Sequence, residues 1–367
     1  MATDRGEILP EGGVNRRSNR IQQGNRPIWI NHQPSTINSP MPDYPGISSD
    51  AFRHPLDREA EEALRNLAGF DGVARKFVEY VYERPQAVFL TGNHIQVGPR
   101  QYSTVYQLFR EAVRALDISP EPLLFVSHNP QLNAFSLGQD HPSITLNSGV
   151  LDAMNEAELK AVIAHELGHL KCGHTILSQM AMWVISTARF VGEFTFGMGN
   201  VISSGLLYAF YEWRRKAELS ADRAALLATD SLDTVTKTLM IVAGGSQNYA
   251  HELDMTEFIR QAERYQELDR DELNQVYKFL LYNGPQTMTS HPFAVERLHY
   301  IRQWAQSADY QRIRSGDYRH DEARGAVNVK TDAGNTVTSL RREIEALQAE
   351  IEREKQRRPS SNSSQRP

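Results

Sequence analysis

Cysteine is almost absent from this chain, since Cys172 is the only one among its 367 residues. A single cysteine excludes a disulfide bond within the chain and fits a reducing compartment. The N-terminal residues, Met-Ala-Thr-Asp-Arg-Gly-Glu, also lack the basic and then apolar pattern of a secretory signal. Together these two absences predict a cytoplasmic protein.

The chain also lacks a large net charge and a long apolar run. Its net charge of −5 gives no electrostatic basis for binding nucleic acid, which favours basic surfaces. The most apolar interval, residues 175–211, is interrupted by Arg189, Glu193 and several glycines, whereas a membrane-spanning helix needs about 20 mostly apolar residues. With a mean hydropathy of −0.51 for the whole chain, we expect a soluble helical hairpin there. A hairpin that touches a membrane peripherally, or spans it, is the open alternative.

Composition divides the chain into a folded middle and polar ends. Residues 1–52 are rich in proline, asparagine, serine, glycine and arginine, and we expect them to be disordered. Residues 337–354 carry apolar residues at alternating spacings of three and four, which is the seam of a short coiled coil. A helix that docks on the body and one that self-associates with a second copy fit this seam equally well. The predicted segments are a disordered 1–52, a folded domain 53–320, a linker 321–336, a short coiled-coil-like helix 337–356 and a disordered tail 357–367.

The folded middle mixes helical and strand patterns. Residues 57–83 carry apolar residues at the spacing of an amphipathic helix. The pattern then changes to short strands separated by turn residues, before a helix that Asn155 opens. The predicted strands cover residues 123–126, 134–137 and 144–146. We therefore predict a mostly helical α+β fold, in which the strands either belong to the core or offer an edge to an extended peptide.

The most specific pattern is His-Glu-Leu-Gly-His at residues 165–169. In a helix, His165 and His169 lie on one face, so both imidazoles can bind a single metal ion. Glu166 follows the first histidine and lies near the metal without having to bind it, where a hydrolase needs a base. Two core histidines are the alternative, but buried histidines beside a glutamate are costly without a partner. The pattern therefore predicts a Zn²⁺ site.

A catalytic zinc ion normally has a third protein ligand. His174 would lie about 140° around a continuous helix from His169 and so point away from the metal. Cys172 could reach the same side, but a closed thiolate site leaves no task for a base, so a small buried residue is expected. Glu218 and Asp222 share a face of a second predicted helix, where Glu218 could bind the metal and Asp222 could accept the outer N–H of a ligand histidine. A solvated acidic face explains this pair equally well.

Four motifs occur in an order that is typical of a known family. They are Asn133-Ala134-Phe135 before Leu146-Asn147-Ser148-Gly149-Val150-Leu151, His165-Glu166-Leu167-Gly168-His169 with His174, Arg215-x-x-Glu218-x-x-Ala221-Asp222, and Ser290-His291-Pro292 with Arg297. Over about residues 85–305, the chain resembles the zinc metallopeptidase family that includes the bacterial membrane heat-shock protease and the CAAX prenyl endopeptidase. Familiar members often carry membrane-spanning helices between the second and third motifs, from which the broken interval 175–211 departs.

The resemblance implies one Zn²⁺ per chain, bound by His165, His169 and Glu218. It implies that Glu166 takes a proton from the attacking water and that His291 donates a hydrogen bond to the oxyanion. Ser-His-Pro is also a good helix start, which is the structural alternative for His291.

The resemblance also implies what surrounds the metal. Asp222 would hold a ligand histidine, and Arg297 would form a salt bridge with Asp222 or with the substrate, of which we favour the structural pairing. The strand segment Asn133-Ala134-Phe135 would bind substrate. The expected fold is a gluzincin-like metallopeptidase core, in which the small sheet packs on the helix of residues 165–169.

The function predicted is therefore that of a zinc-dependent endopeptidase that acts on proteins or peptides, with protein quality control as a plausible task. A non-catalytic, zinc-stabilised binding or chaperone-like protein is the alternative from another class. Glu166 argues against it, since a structural zinc site needs no base. Zinc-dependent hydrolysis of a non-peptide bond is a third interpretation, against which the family resemblance weighs.

Overall fold

The computed structural model of the protein describes residues 42–67, 70, 83–138, 141–189, 204–283 and 291–320, all within the unit Met41–Pro367. Helices dominate these residues, in agreement with the predicted class. The helices are α1 Ser49–Phe52, α2 Pro55–Arg65, α3 Glu83–Asn93, α4 Ser103–Ala115, α5 Ser148–Ala153, α6 Glu156–Lys171, α7 His174–Arg189, α8 Ser204–Thr229, α9 Leu232–Gly244, α10 Met255–Leu268, α11 Glu272–Asn283, α12 Ala294–Ala305 and α13 Ala308–Arg314. A 3₁₀ helix covers Gln247–Glu252.

A small mixed sheet packs against α6. Its strands are β1 Ile95–Gln96, β2 Leu123–Ser127, β3 Ala134–Leu137 and β4 Ser143–Asn147, in the order β1-β2-β4-β3. β2 and β4 are parallel, while β3 is antiparallel to β4 with Ala134 opposite Leu146. All of β4 is buried, whereas β3 is an edge strand among the described residues. The three predicted strands are confirmed to within one residue at each end.

Helix α6 carries the His-Glu-x-x-His pattern and has defined ends. Asn155 and Glu158 form a capping box at its start, in which each side chain accepts a hydrogen bond from the other residue's backbone N–H. At its other end Gly173 has a φ of 73°, a left-handed conformation that favours glycine. The chain therefore turns sharply, and His174 begins α7 instead of extending α6.

The core lies where α6 packs against α8, α4 and the sheet. Gly168 is the contact point between α6 and α8. A Cβ added there would lie 2.6 Å from Cβ of Ala224, closer than real contacts allow, and 3.0 Å from Cα of Ala221, which is also tight. Small residues on both helices thus bring the two backbones together, which in turn brings together the side chains on the adjoining faces.

This contact gives a first prediction. Gly168→Ala adds a methyl group that α8 has no room for, so the free energy of unfolding falls by about 1–3 kcal/mol, although alanine favours an isolated helix by about 1 kcal/mol. Urea unfolding measures this change. Ala224→Gly removes the nearer clashing atom, and the double variant should regain part of the loss. A Gly168→Ala protein as stable as the wild type would contradict the tight crossing.

Residues 42–52 belong to the fold. Ile47 and Phe52 are fully buried, and the side chain of Ser48 caps α1. The predicted disorder of residues 1–52 is therefore wrong for residues 42–52, because a few apolar side chains within a polar stretch reach the core. Residues 1–41 lie outside the described residues.

The helix predicted over residues 57–83 is too long. α2 ends at Arg65, where the backbone N–H of Asn66 bonds to the carbonyl of Glu62 and closes the last turn. Most of residues 68–82 lie outside the described part of the chain. An apolar pattern at helical spacing therefore does not show where one helix stops.

The C-terminal segments predicted at 321–336, 337–356 and 357–367 lie outside the described residues, so self-association through 337–354 stays a prediction. The interval 175–211 is described only in part, as α7 and the beginning of α8. Within the described residues, every helix falls short of the length or apolarity that crossing a membrane requires.

Candidate metal centre

Three side chains from α6 and α8 converge on one point. His165 and His169 lie one turn apart on α6, and Glu218 faces them from α8. Nε2 of His165 is 3.2 Å from Oε2 of Glu218, and Nε2 of His169 is 3.5 Å from Oε1. Ligand atoms from the three residues all lie within 4.8 Å of one another. That spacing suits one metal ion with bonds of about 2.0–2.2 Å to each ligand.

The surroundings of Glu218 are stronger evidence for a cation than the distances between the candidate ligand atoms. The side chain of Glu218 is only 4% exposed, and its Oε2 accepts no hydrogen bond from the described residues, although His165 lies 3.2 Å and Nη1 of Arg297 3.5 Å away. A buried acceptor without a donor is costly, whereas an oxygen directed at a metal ion is satisfied. Two imidazoles and one carboxylate form a donor set that binds Zn²⁺ in catalytic sites. The residues present therefore fit a zinc ion.

The charges around the cluster also favour a cation. Burial acts to raise the pKa of Glu218, but the nearby His291, His165 and His169 outweigh it and hold that pKa well below its usual range. Burial lowers the pKa of His165, while Asp222 and Glu218 together raise it to about 9. The two ionised carboxylates thus favour a positive charge at this imidazole, which a bound metal cation would supply in place of a proton.

Asp222 and Arg297 lie behind His165, as predicted from the sequence. Oδ1 of Asp222 is 3.1 Å from Nδ1 of His165. Arg297 donates to both carboxylate oxygens of Asp222, from Nε at 2.8 Å and from Nη2 at 2.6 Å. Burial acts to raise the pKa of Asp222, but Arg297 and His165 lower it to about 2. The ionised Asp222 can accept the Nδ1 proton of His165, which leaves Nε2 of the imidazole available to a metal.

His174 does not point away from the cluster, and that prediction is wrong. Its Nδ1 is 2.9 Å from Nδ1 of His169, because the turn at Gly173 ends the helix that the prediction assumed to continue. The candidate metal cluster among the described residues does not include His174, which contacts its member His169. Cys172 is fully buried at the end of α6, as expected for a small core residue.

The burial of Cys172 leads to a second prediction. Burial raises the pKa of its thiol to about 12, so the reactive thiolate is scarce at pH 8. We expect a thiol reagent to leave Cys172 unmodified in the native protein, both before and after treatment with a metal chelator, and to modify it fully in denaturant. Modification that appears only after chelation would identify Cys172 as a metal ligand instead.

Glu166 and His291 line the same cavity as His165. Glu166 is 6% exposed, whereas the side chain of His291 is 46% exposed and its Nε2 lies 3.5 Å from Oε1 of Glu218. The following helix begins at Ala294, so His291 precedes it and the helix-start alternative is wrong. The structure thus brings the two proposed catalytic residues to one side of the ligand cluster.

The cavity itself is largely apolar, with a volume of about 240 Å³. Asn133 and Ala134, at the start of the edge strand β3, line it. Phe135, the third predicted substrate-binding residue, is not among the lining residues, because successive strand residues face opposite sides of a sheet. Side chains from α5, α6 and α9 complete the apolar wall: Val150, Val162, Val235, Leu239 and Val242.

No sequence pattern indicates the contacts behind His169. Nε2 of His174 is 2.9 Å from Oδ2 of Asp57 on α2, across a sequence separation of 117 residues. Arg53 and Ser220 also donate to that carboxylate. Nothing near Asp57 in the sequence forms a recognisable site motif, so only the three-dimensional arrangement reveals its place beside the metal centre.

Comparison with known proteins agrees with this geometry. Residues 99–305, more than half of the chain, match the family described as Peptidase family M48. The chain is 31% identical over 269 residues to the Plastoglobule-localized metallopeptidase 48, chloroplastic, of Arabidopsis thaliana. That alignment covers 73% of this chain and 76% of the plant protein.

Two bacterial relatives are named as proteases. Identity to the Protease HtpX homolog of Moorella thermoacetica is 24% over 262 residues, which cover 64% of this chain and 83% of that protein. Identity to the Protease HtpX homolog of Caldanaerobacter subterraneus subsp. tengcongensis is 34% over 93 residues, or 24% of this chain and 31% of the relative. No solved structure matches the chain.

Proposed function

Because the chain belongs to peptidase family M48, we propose that it is a zinc-dependent endopeptidase that hydrolyses peptide bonds of proteins. One observation carries the proposal: a His₂Glu ligand cluster lies beside a buried Glu166 on the wall of a cavity large enough for a side chain. A non-catalytic zinc protein that only holds clients has no use for a carboxylate in that place. The hydrolase therefore accounts for more of the geometry.

His165, His169 and Glu218 are the proposed zinc ligands. A zinc ion held there would polarise the scissile carbonyl and lower the pKa of a water molecule from about 15.7 to about 7. Asp222 orients the imidazole of His165 by accepting from its Nδ1, and Arg297 holds Asp222 in place through two hydrogen bonds. These outer contacts preorganise the ligands before substrate arrives.

Glu166 is the proposed general base and then general acid. Its position next to His165 on α6 places the carboxylate at the cavity, and its burial keeps bulk water from competing for the proton. It takes a proton from the attacking water and then delivers that proton to the nitrogen of the leaving amine. The same residue thus serves both halves of the reaction.

His291 is the proposed oxyanion donor. Glu218 raises the pKa of His291, but desolvation and the cation Arg297 outweigh it and lower that pKa to about 4. The imidazole is therefore neutral near pH 7 and still carries one N–H to donate. A preorganised donor of this kind contributes about 10²–10³-fold to the rate of acyl-transfer reactions.

The edge strand and the apolar cavity indicate how a substrate would bind. An extended peptide can pair with the edge of β3 that the described strands leave unpaired, and place its scissile bond beside Glu166. The largely apolar cavity next to the bond would then take an apolar side chain of the substrate. Unfolded protein segments, which expose both backbone and apolar side chains, are the proposed substrate class.

Val242 offers a test of this substrate class, since it lines the cavity and is 46% exposed, so a polar replacement there spares the core. Val242→Asp should reduce cleavage beside large apolar residues by about tenfold, because the carboxylate must then be desolvated by the bound side chain. Mass-spectrometric mapping of cleavage sites in casein measures the change. Lys237→Asp, at an exposed position of the same helix, is the control and should leave the site preference as in the wild type. An unaltered preference in Val242→Asp would remove the cavity from substrate selection.

The function as a whole is tested by metal-dependent cleavage. The purified protein should cut unfolded casein, lose that activity when zinc is removed by a chelator, and regain it when about one zinc ion per chain is restored. Cleavage that continues without metal, or zinc-loaded protein that cuts no unfolded substrate, would count against the proposal. The cytoplasmic location and the role of residues 175–211 at a membrane stay predictions.

A further inference from the structure

A second chain of hydrogen bonds leads away from the metal centre on the side of His169. Nδ1 of His169 lies 2.9 Å from Nδ1 of His174, and Nε2 of His174 lies 2.9 Å from Oδ2 of Asp57. The side chains of His174 and Asp57 are 1% and 0% exposed. A buried carboxylate is thus linked to the ligand through one intervening imidazole.

Asp57 is fixed as an ionised acceptor. Arg53 donates to it from Nε at 2.8 Å and from Nη2 at 3.2 Å, and Ser220 donates from Oγ at 2.7 Å. Burial acts to raise the pKa of Asp57, but His174 and Arg53 lower it far below its usual range. Because an ionised carboxylate can only accept hydrogen bonds, the nitrogen of His174 that faces it must carry a proton.

We propose that Asp57 and His174 are positioning residues that set the tautomer of His169. The Nε2–H of His174 is donated to Asp57, so Nδ1 of a neutral His174 is left as an acceptor. It then accepts the Nδ1–H of His169, and Nε2 of His169 keeps its lone pair for the metal. This inference rests on the proposed zinc site, to which it adds an indirect support for the second histidine ligand.

The two ligand histidines are therefore supported in different ways. His165 meets a carboxylate directly in Asp222, whereas His169 reaches one only through His174. Asp57 also lies on α2, upstream of residues 99–305 that match the peptidase family. The N-terminal part of the fold thus completes a metal centre whose ligands all come from the matched region.

Zinc affinity of matched variants tests the proposal. His174→Phe removes the hydrogen bonds of His174 to His169 and to Asp57. Asp57→Asn replaces one acceptor oxygen by an NH₂ group that faces other hydrogen-bond donors. Each variant should therefore weaken zinc binding by about 10–100-fold. His174→Gln can still accept from His169 and donate to Asp57, and should stay within about threefold of the wild type. Glu59→Gln, an exposed position on α2, is the control. Competition with a chromophoric chelator gives the dissociation constants.

A second readout follows the proton itself. Long-range ¹H–¹⁵N spectra of the zinc-free protein should show His169 protonated on Nδ1 in the wild type and partly on Nε2 in Asp57→Asn. This readout and the affinity of His174→Gln decide the question if His174→Phe does not fold.

Affinities of Asp57→Asn and His174→Phe within about threefold of the wild type would overturn the proposal. So would a His174→Gln protein that binds zinc as weakly as His174→Phe, since a role in packing alone would give that result. A wild-type protein that binds no zinc would instead refute the metal site itself, so the two failures are distinguishable.

Discussion

Glu166→Gln is expected to bind zinc as the wild type does and to cleave casein at least about 10³ times more slowly. The amide keeps the size and position of the side chain at the cavity but cannot accept a proton from water. Zinc binding should not change, because Glu166 is not one of the three residues of the ligand cluster. Elemental analysis and cleavage rates on the same preparation measure both quantities.

Glu156→Gln is the matched control for this variant. Glu156 is exposed at the first turn of the same helix, so the same chemical change there should leave both zinc content and cleavage unaltered. Cleavage that persists in a clean Glu166→Gln preparation would mean that another residue acts as the base. Loss of zinc in that variant would mean that Glu166 binds the metal.

Glu218→Ala is expected to lose zinc. Removing one of three protein ligands should weaken zinc binding by at least about 10³-fold, since the two remaining imidazoles bind the ion poorly on their own. The effect should also appear in stability: zinc at about 100 times its dissociation constant stabilises the wild type by about 2.7 kcal/mol. The same zinc concentration should leave the unfolding of Glu218→Ala unchanged.

Glu212→Ala separates ligand loss from a general effect on α8. Glu212 lies on the same helix, is itself 50% exposed and pairs with the buried Arg215, so its removal costs a salt bridge but no zinc ligand and should not alter zinc binding. Urea unfolding with and without zinc compares the three proteins. Full zinc retention by Glu218→Ala would rule out Glu218 as a ligand.

Local sequence patterns predict those ends of strands and helices that depend on residues close by in the chain. The strands β2, β3 and β4 were predicted almost to their ends because turn residues such as Asn129-Pro130 separate them. Asn155 was recognised as the start of α6 because a capping residue acts within one turn. Helix α2 was extended too far, since apolar spacing continues past the point where Asn66 closes it.

The residues of the candidate site likewise include some that a local pattern relates and others that only long-range contacts bring together. His165, Glu166 and His169 lie on one helix, so helical geometry alone relates them. For Glu218 the local pattern fits a solvated residue equally well, and the family resemblance implies a metal ligand. The structure places its carboxylate 3.2 Å from Nε2 of His165.

One physical reason explains why the position predicted for His174 is wrong and why no sequence pattern indicates Asp57. One left-handed glycine, Gly173, redirects the chain so that His174 returns towards His169. Asp57 then approaches from a helix more than a hundred residues away, which no local pattern reports. Long-range contacts of this kind depend on how the helices pack in three dimensions, which the spacing of residues along the sequence does not show.

The most direct test of the central claim is to identify the chemical product of the reaction. Zinc-loaded protein is incubated with unfolded casein in H₂¹⁸O, and the peptides are analysed by mass spectrometry. We predict new termini inside the casein chain, with ¹⁸O incorporated into each new carboxyl terminus by the wild type and not by Glu166→Gln. Casein that stays intact, or internal termini that form equally with Glu166→Gln, would contradict the assignment as a zinc endopeptidase.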